Sequence, residues 1–83
     1  MADLKVGAIS HYYDKIGVAV IELCETLAVG DTIRITGHGG EFTQSVTSMQ
    51  MEHQNVQEAK KGEAVGLKTD QPVKEEDEVF KVS

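Results

Sequence analysis

Eighty-three residues with 8 Lys+Arg against 14 Asp+Glu carry a formal charge of −6, and 40% of them are apolar. A chain of this length buries only about 60–65% of its unfolded surface, which suffices for one small core and excludes a large multidomain enzyme built around a deep cleft. Charged residues make up 27% of the chain, an ordinary balance that points to a folded domain rather than a disordered tail.

Val supplies 10 residues, Ile 5 and Thr 6, against 4 Leu and 6 Ala, and this excess of β-branched side chains favours pleated surfaces. The first predicted strand, 4–10, alternates with Leu4, Val6 and Ala8 on one face and Lys5 and Gly7 on the other. His11-Tyr-Tyr-Asp-Lys15 reads as a loop. The run Ile16-Gly-Val-Ala-Val-Ile-Glu-Leu23 follows, with Ile16, Val18 and Val20 facing one way and Ala19, Ile21 and Leu23 the other; it suits a central strand.

Leu27-Ala-Val-Gly-Asp31 predicts a turn, and Thr32-Ile-Arg-Ile-Thr36 a third strand with Ile33 and Ile35 inward. Gly37-His-Gly-Gly40 suits a tight hairpin that needs positive φ. A fourth strand starts at Glu41. Its Phe42, Gln44 and Val46 share a phase that Met49 and Met51 resume one residue out of step, which predicts a bulge near Ser48. From Glu52 to Glu63 the pattern reads as a loop with at most one helical turn, with Val56 and Ala59 plugging one end of the core. Ala64–Thr69 and Glu78–Val82 are the last two strands, and Lys74-Glu-Glu-Asp-Glu78 between them is a solvated turn. Six short strands without a long helix predict an all-β domain spanning 1–83, a barrel or a sandwich.

No eighteen apolar residues run together, and the opening Met-Ala-Asp-Leu-Lys lacks the layout of a secretion signal; a soluble cytoplasmic protein is expected, with no membrane contact. The lone Cys24 makes no internal disulfide and fits a reducing compartment. Acidity is spread along the chain, −3 in 1–51 and −3 in 52–83. Nucleic-acid affinity comes from clustered Lys/Arg, so tight autonomous RNA or DNA binding is disfavoured.

The stretches Gly17-Val-Ala-Val-Ile-Glu-Leu23 and Leu27-Ala-Val-Gly-Asp-Thr-Ile-Arg-Ile35 resemble domain 2 of translation elongation factor Tu and its archaeal and eukaryotic counterparts. So do Val46-Thr-Ser-Met-Gln-Met51, the Val56…Gly66 string and the closing Val73–Lys81 segment. This resemblance implies a small six-stranded closed antiparallel β-barrel, the translation-protein barrel. It also implies a stand-alone, non-catalytic binding module that works through protein contact or weak RNA or tRNA contact. The phosphate-binding motif G-x-x-x-x-G-K-[ST] is absent from the sequence, so GTP binding is not expected. The positions matching the family's tRNA-end contacts are the loop His11–Lys15, Gln50, His53 and Ala64. Gln50 stands where an acidic residue is usual, His53 where an Arg is, and Ala64 where an Asn is, so protein partners rank ahead of RNA. Similar barrels also occur as C-terminal accessory domains of collagenase-like peptidases and related modifying enzymes, which makes an accessory subunit of such an enzyme the alternative.

The candidate binding residues are therefore His11, Tyr12, Tyr13, Lys15, Gln50 and His53. An aromatic pair in a loop can stack a base or anchor a partner; equally, one ring can cap the barrel end while the other lies on the surface. His11, Cys24, His38 and His53 match no metal-ligand spacing, so neither a metal nor another cofactor is expected. Cys24 should pack at a strand end as a small hydrophobe. A weaker alternative, a small enzyme using Cys24, needs a His brought beside it.

Overall fold

Register, more than composition, decides how this chain folds. The computed structural model describes residues 3–37, 40–52 and 54–82. They form ten strands: β1 (Leu4–Tyr13), β2 (Val18–Leu23), β3 (Leu27–Ala28), β4 (Thr32–Gly37), β5 (Gly40–Ser45), β6 (Met49–Met51), β7 (Gln54–Val56), β8 (Glu58–Ala59), β9 (Ala64–Lys68) and β10 (Glu78–Lys81). Eight build one sheet in the order β5-β4-β10-β1-β2-β9-β6-β7, and β3 pairs with β8 in a second. All the pairings are antiparallel.

The period-2 reading of β2 holds. Ala19, Ile21 and Leu23 are buried while Val18 and Val20 are half-buried, and β2 sits between β1 and β9. Cross-strand pairing turns such alternation into layers. Ile9, Ile21 and Val65 stand opposite one another on β1, β2 and β9, and Phe42, Ile35, Val79, Gly7 and Leu23 form one inward rung over five strands. Val6, Leu27, Ile33, Val46, Met49, Leu67 and Val73 complete a single core. Gly7 is needed on its rung: a Cβ there would lie on the Glu22 carbonyl oxygen and 2.9 Å from Ile21 Cγ2.

β1 departs from simple alternation. Its register shifts between Lys5 and Gly7 and again between Ile9 and His11. Each shift rotates the following side chains to the opposite face, so Val6 and Ile9 are buried while Leu4 is 50% exposed. The loop expected at His11–Lys15 is shorter than the sequence suggests, because β1 continues to Tyr13. The reversal is made by Asp14–Gly17, where the Tyr13 carbonyl accepts from the amides of Ile16 and Gly17 at 3.2 and 2.8 Å.

The closed six-stranded barrel does not form; the sheet is open. The fourth strand expected from Glu41 to Met51 breaks at Val46–Ser48, where the phase of its apolar residues shifts. Val46 is pinned there, its amide donating to Asp31 and its carbonyl accepting from Gly30, each at 2.8 Å. Beyond the break β6 pairs with β7 and β9, so β5 never ladders onto β9. The two are five inter-strand steps apart in the sheet, about 24 Å if it were flat. Yet Gln44 Nε2 of β5 donates to the Lys68 carbonyl at 2.8 Å, and Gln44 Oε1 accepts from the Asp70 amide at 2.7 Å. The sheet therefore curls around its core, and one side chain spans the seam that a closed barrel would fill with a ladder.

Segment 52–63 contains β7 and β8 instead of a helical turn, although Ala59 is buried and Val56 packs on the core as the sequence implies. Leu27–Asp31 forms the expected turn: Gly30 has φ +100°, and Asp31 Oδ2 accepts from the Ala28 amide at 2.9 Å. Gly37 pairs with Gly40 at the end of the β4–β5 hairpin; His38 lies outside the described residues. In the acidic run, Asp77 is buried and its Oδ2 accepts from the Lys74 amide at 2.9 Å, so that turn is solvated only in part.

Candidate functional site

Strand pairing brings together residues that are far apart in the chain. His11 of β1 stands opposite Val20 of β2, Val20 opposite Gly66 of β9, Gly66 opposite Gln50 of β6, and Gln50 opposite Asn55 of β7. Residues paired this way point to the same side of a sheet. The parallel rung two residues on joins Tyr13, Val18 and Lys68. Both rungs face outward, since the intervening rung Tyr12–Ala19–Leu67 turns toward the core. Three of the predicted residues, His11, Tyr13 and Gln50, thus share one outer face.

On that face the His11 and Tyr13 rings meet edge to face, with centroids 4.4 Å apart, and His11 Nδ1 lies 3.4 Å from Glu75 Oε2. Gln50 Nε2 donates to Asn55 Oδ1 at 3.3 Å. Val18, Ser48, Gln50, Gly66, Leu67 and Lys68 line a shallow recess of about 150 Å³. At the hairpin end Tyr13 is 50% and Ile16 61% exposed. Aromatic and apolar area left in water beside polar groups is the composition of a contact surface.

The remaining predicted residues separate. Tyr12 is partly buried against the core, so of the adjacent rings one packs inward and the other lies outside. Lys15 sits exposed in the Asp14–Gly17 turn. His53 lies outside the described residues. Cys24 is exposed rather than packed; it is a free thiol whose Sγ is 3.4 Å from the Lys5 carbonyl oxygen. His11 engages Tyr13 and Glu75, so the structure does not bring it to Cys24. Among the described residues no group of three or more His, Cys, Asp or Glu is placed to hold a metal ion, and no helix is long and apolar enough to cross a membrane.

Sequence reasoning missed Val18, Gly66 and Lys68 as neighbours of His11 and Tyr13. The signal lies in parity: once β2 and β9 are in register, every second residue of each joins the face. Glu75 was hidden in a charge run, and only the fold sets it beside His11.

No family model matches the chain. The C-terminal domain of a Geobacillus thermoleovorans protein described as a U32 peptidase superposes with a TM-score of 0.90 at 19% identity, covering 96% of this chain and 93% of that one. Its selenomethionine variant gives 0.87, also at 19% identity, over 92% and 96%. The fold is that of a U32 peptidase C-terminal domain. In sequence, 78 residues, 93% of this chain, are 44% identical to an uncharacterized protease of Methanocaldococcus jannaschii. The chain spans about a fifth of that protein's length, 19%.

These relatives overturn the resemblance to elongation factor domain 2, and with it the translation-protein barrel. The residues that carried it have local structural duties. Gly17 and Gly30 adopt φ +68° and +100° in turns, and Asp31 closes its turn on the Ala28 amide. Any curled sheet with such turns needs those residues, whatever it binds. Of the three readings drawn from the sequence, the comparisons favour the accessory subunit of a collagenase-like peptidase or related modifying enzyme over the elongation-factor-like binding module.

Proposed function

We propose that this chain is a non-catalytic accessory module of a collagenase-like peptidase or a related modifying enzyme, acting by protein contact with the rest of that enzyme. The observation that carries this reading is the 44% identity over 93% of the chain to one fifth of a protease. Agreement across nearly the whole module, confined to a small part of the relative, fits a unit that accompanies a catalytic body. The outer face of His11, Tyr13, Gln50 and Lys68 offers contact area without a nucleophile–base pair. On this reading the protein works in the cytoplasm, where the exposed Cys24 stays reduced.

The test is titration calorimetry of this chain into the Methanocaldococcus jannaschii protease expressed without its matching segment. A saturable one-to-one complex is expected. No heat of binding at about 100 µM of each protein, a concentration that detects even weak complexes, overturns the reading. Cys24→Ser is expected to bind as the unmodified chain does, and loss of function in that variant would favour a cysteine enzyme instead.

A further inference from the structure

Strand β2 is apolar on both sides. Ala19, Ile21 and Leu23 fill the core, while Val18 and Val20 turn outward and the exposed Ile16 stands just before them. A strand that is apolar on both faces is the pattern of one covered on both, yet Val18 and Val20 stay only half-buried. Gly66, opposite Val20, adds to the bare area because it has no side chain to lie against the valine. Three outward rungs make up this face: Tyr13–Val18–Lys68 at one end, His11–Val20–Gly66–Gln50 in the middle, and Ala8–Glu22–Ala64 at the other.

The two end rungs complement one another. Ala8 and Ala64 are small where Tyr13 and Lys68 are large, and Glu22 is an anion where Lys68 is a cation. Glu22 and Lys68 are exposed, and neither makes an ion pair among the described residues. Two kinds of twofold axis lay β2 of one copy face to face on β2 of another. An axis along the strand sets Glu22 against its own copy, and like charge opposes it. An axis across the strand, over Val20, reverses the second copy end for end. Lys68 then lies over Ala64 of the second copy with its ammonium beside that copy's Glu22, and Tyr13 lies over its Ala8. The middle rung meets its own copy and contains no Lys, Arg, Asp or Glu. We infer that the outer face of β2 is a self-association surface, on which a second copy of this chain seats antiparallel about an axis over Val20. Lysine suits the contact because its methylene stem covers a small apolar residue while its head stays at the polar rim. The contact is isologous, so each Lys68–Glu22 pair forms twice. Four strands and five residues of β2 give a patch of about 19 by 17 Å. That is less than the roughly 800 Å² per partner of a standard interface, so a dimer dissociating near about 100 µM is expected. The inference goes beyond the accessory-module reading: it gives the module a face that pairs two copies, in addition to its contact with the enzyme.

The experiment is analytical ultracentrifugation of the chain alone from about 10 µM to about 1 mM, a range that brackets the expected dissociation constant, with NMR of the ¹⁵N-labelled chain over the same range. A concentration-dependent dimer is expected, and the amide signals of Tyr13, Val18, Val20, Glu22 and Gly66 should shift as it forms. Glu22→Lys and Lys68→Glu each set like charges together at two places and are each expected to weaken the dimer roughly tenfold. The Glu22→Lys/Lys68→Glu double variant, which exchanges the charges, is expected to recover the original affinity to within about threefold. Val20→Glu brings two carboxylates together on the axis and should leave monomers throughout. Circular dichroism verifies that Val20→Glu folds, and the charge reversals, at exposed positions, decide the matter independently of it. A chain that stays monomeric at about 1 mM, single reversals that leave the dimer unweakened, or a double reversal that fails to recover it would each overturn the inference. If the chain alone is monomeric and the same amides shift only when the truncated Methanocaldococcus jannaschii protease is added, the face belongs to the enzyme, and self-association is overturned while the accessory reading stands. If the chain dimerises but gives no heat with that protease, self-association stands and the accessory reading falls.

Discussion

At the seam, the Gln44 side chain joins β5 to the end of β9 and the residues after it. Gln44 is 8% exposed and holds the Lys68 carbonyl and the Asp70 amide at 2.8 and 2.7 Å. Gln44→Leu keeps the side-chain volume and removes both bonds. A backbone group left unsatisfied costs about 1–3 kcal/mol when fully buried; these two are partly buried, and the leucine recovers some apolar burial, so a net loss of about 2 kcal/mol follows. A domain of this length is stable by roughly 4–12 kcal/mol, and about 2 kcal/mol corresponds to roughly 8–16 °C in Tm. Urea and thermal unfolding followed by circular dichroism measure the change, and hydrogen exchange at the Asp70 amide reports the seam directly. Gln44→Glu sharpens the test: the introduced carboxyl can still accept from Asp70, but only its protonated form can donate to Lys68. Its pKa is therefore raised in the folded state, so its deficit against the unmodified protein is smallest below about pH 4, near the unfolded carboxyl value. The deficit grows as pH rises through the folded pKa. Gln44→Leu within about 0.5 kcal/mol of the unmodified protein, or Gln44→Glu with a pH-independent deficit, would refute the seam argument.

Three further outcomes are expected. Gly7→Ala forces a Cβ onto the Glu22 carbonyl and against Ile21 Cγ2, costing at least about 2 kcal/mol, whereas Gly66→Ala, whose Cβ would find Val18 Cγ1 at 3.4 Å, is expected within about 0.5 kcal/mol in the same urea titration. Asp31 Oδ2 accepts from the Ala28 amide at 2.9 Å and lies 3.3 Å from Lys81 Nζ; Asp31→Ala should cost about 1–2 kcal/mol and Asp31→Asn, which keeps an acceptor, less than half of that. The hydrogen bond to Glu78, and then that carboxylate's attraction, raise the Lys5 pKa above 10.5. The stabilisation from this pair is therefore present at neutral pH and lost as pH climbs through the raised value; melting curves of Lys5→Met and the unmodified protein should converge in alkali.

What the sequence revealed and what it hid divide along one physical line. Alternation over Val18–Leu23 and Thr32–Thr36 reports a half-buried strand directly, and Gly30 with Asp31 reports a turn, because these are local preferences of neighbouring residues. Closure of the sheet is not local. Whether β5 pairs with β9 depends on Val46 being held by Gly30 and Asp31, a contact across fifteen residues of chain that no periodicity records. The shift of phase before Met49 was visible, yet a bulge and a strand break leave the same trace in sequence. The candidate face was legible in the same partial way. His11 and Tyr13 announced themselves as an aromatic and polar cluster, while Val18, Gly66 and Lys68 joined them only through register, and Tyr12 left because parity turned it inward.

Charge makes the same point about function. Along the chain the acidity is featureless, −3 in each part, and by itself says only that nucleic acid is a poor partner. Antiparallel pairing gathers Glu22, Glu78 and Glu41, 56 and 37 residues apart in sequence order, onto one outward rung, and sets Lys15 and Lys68 at the opposite end of β2. A module that is uniformly acidic in sequence is thereby polar in space. Such a molecule approaches a partner of mixed charge in a preferred orientation, since steering acts on the distribution of charge as well as its sum. An accessory domain that must seat on one catalytic body in one pose has a use for that asymmetry, whereas a weak, unspecific RNA binder would need its cations together on one patch.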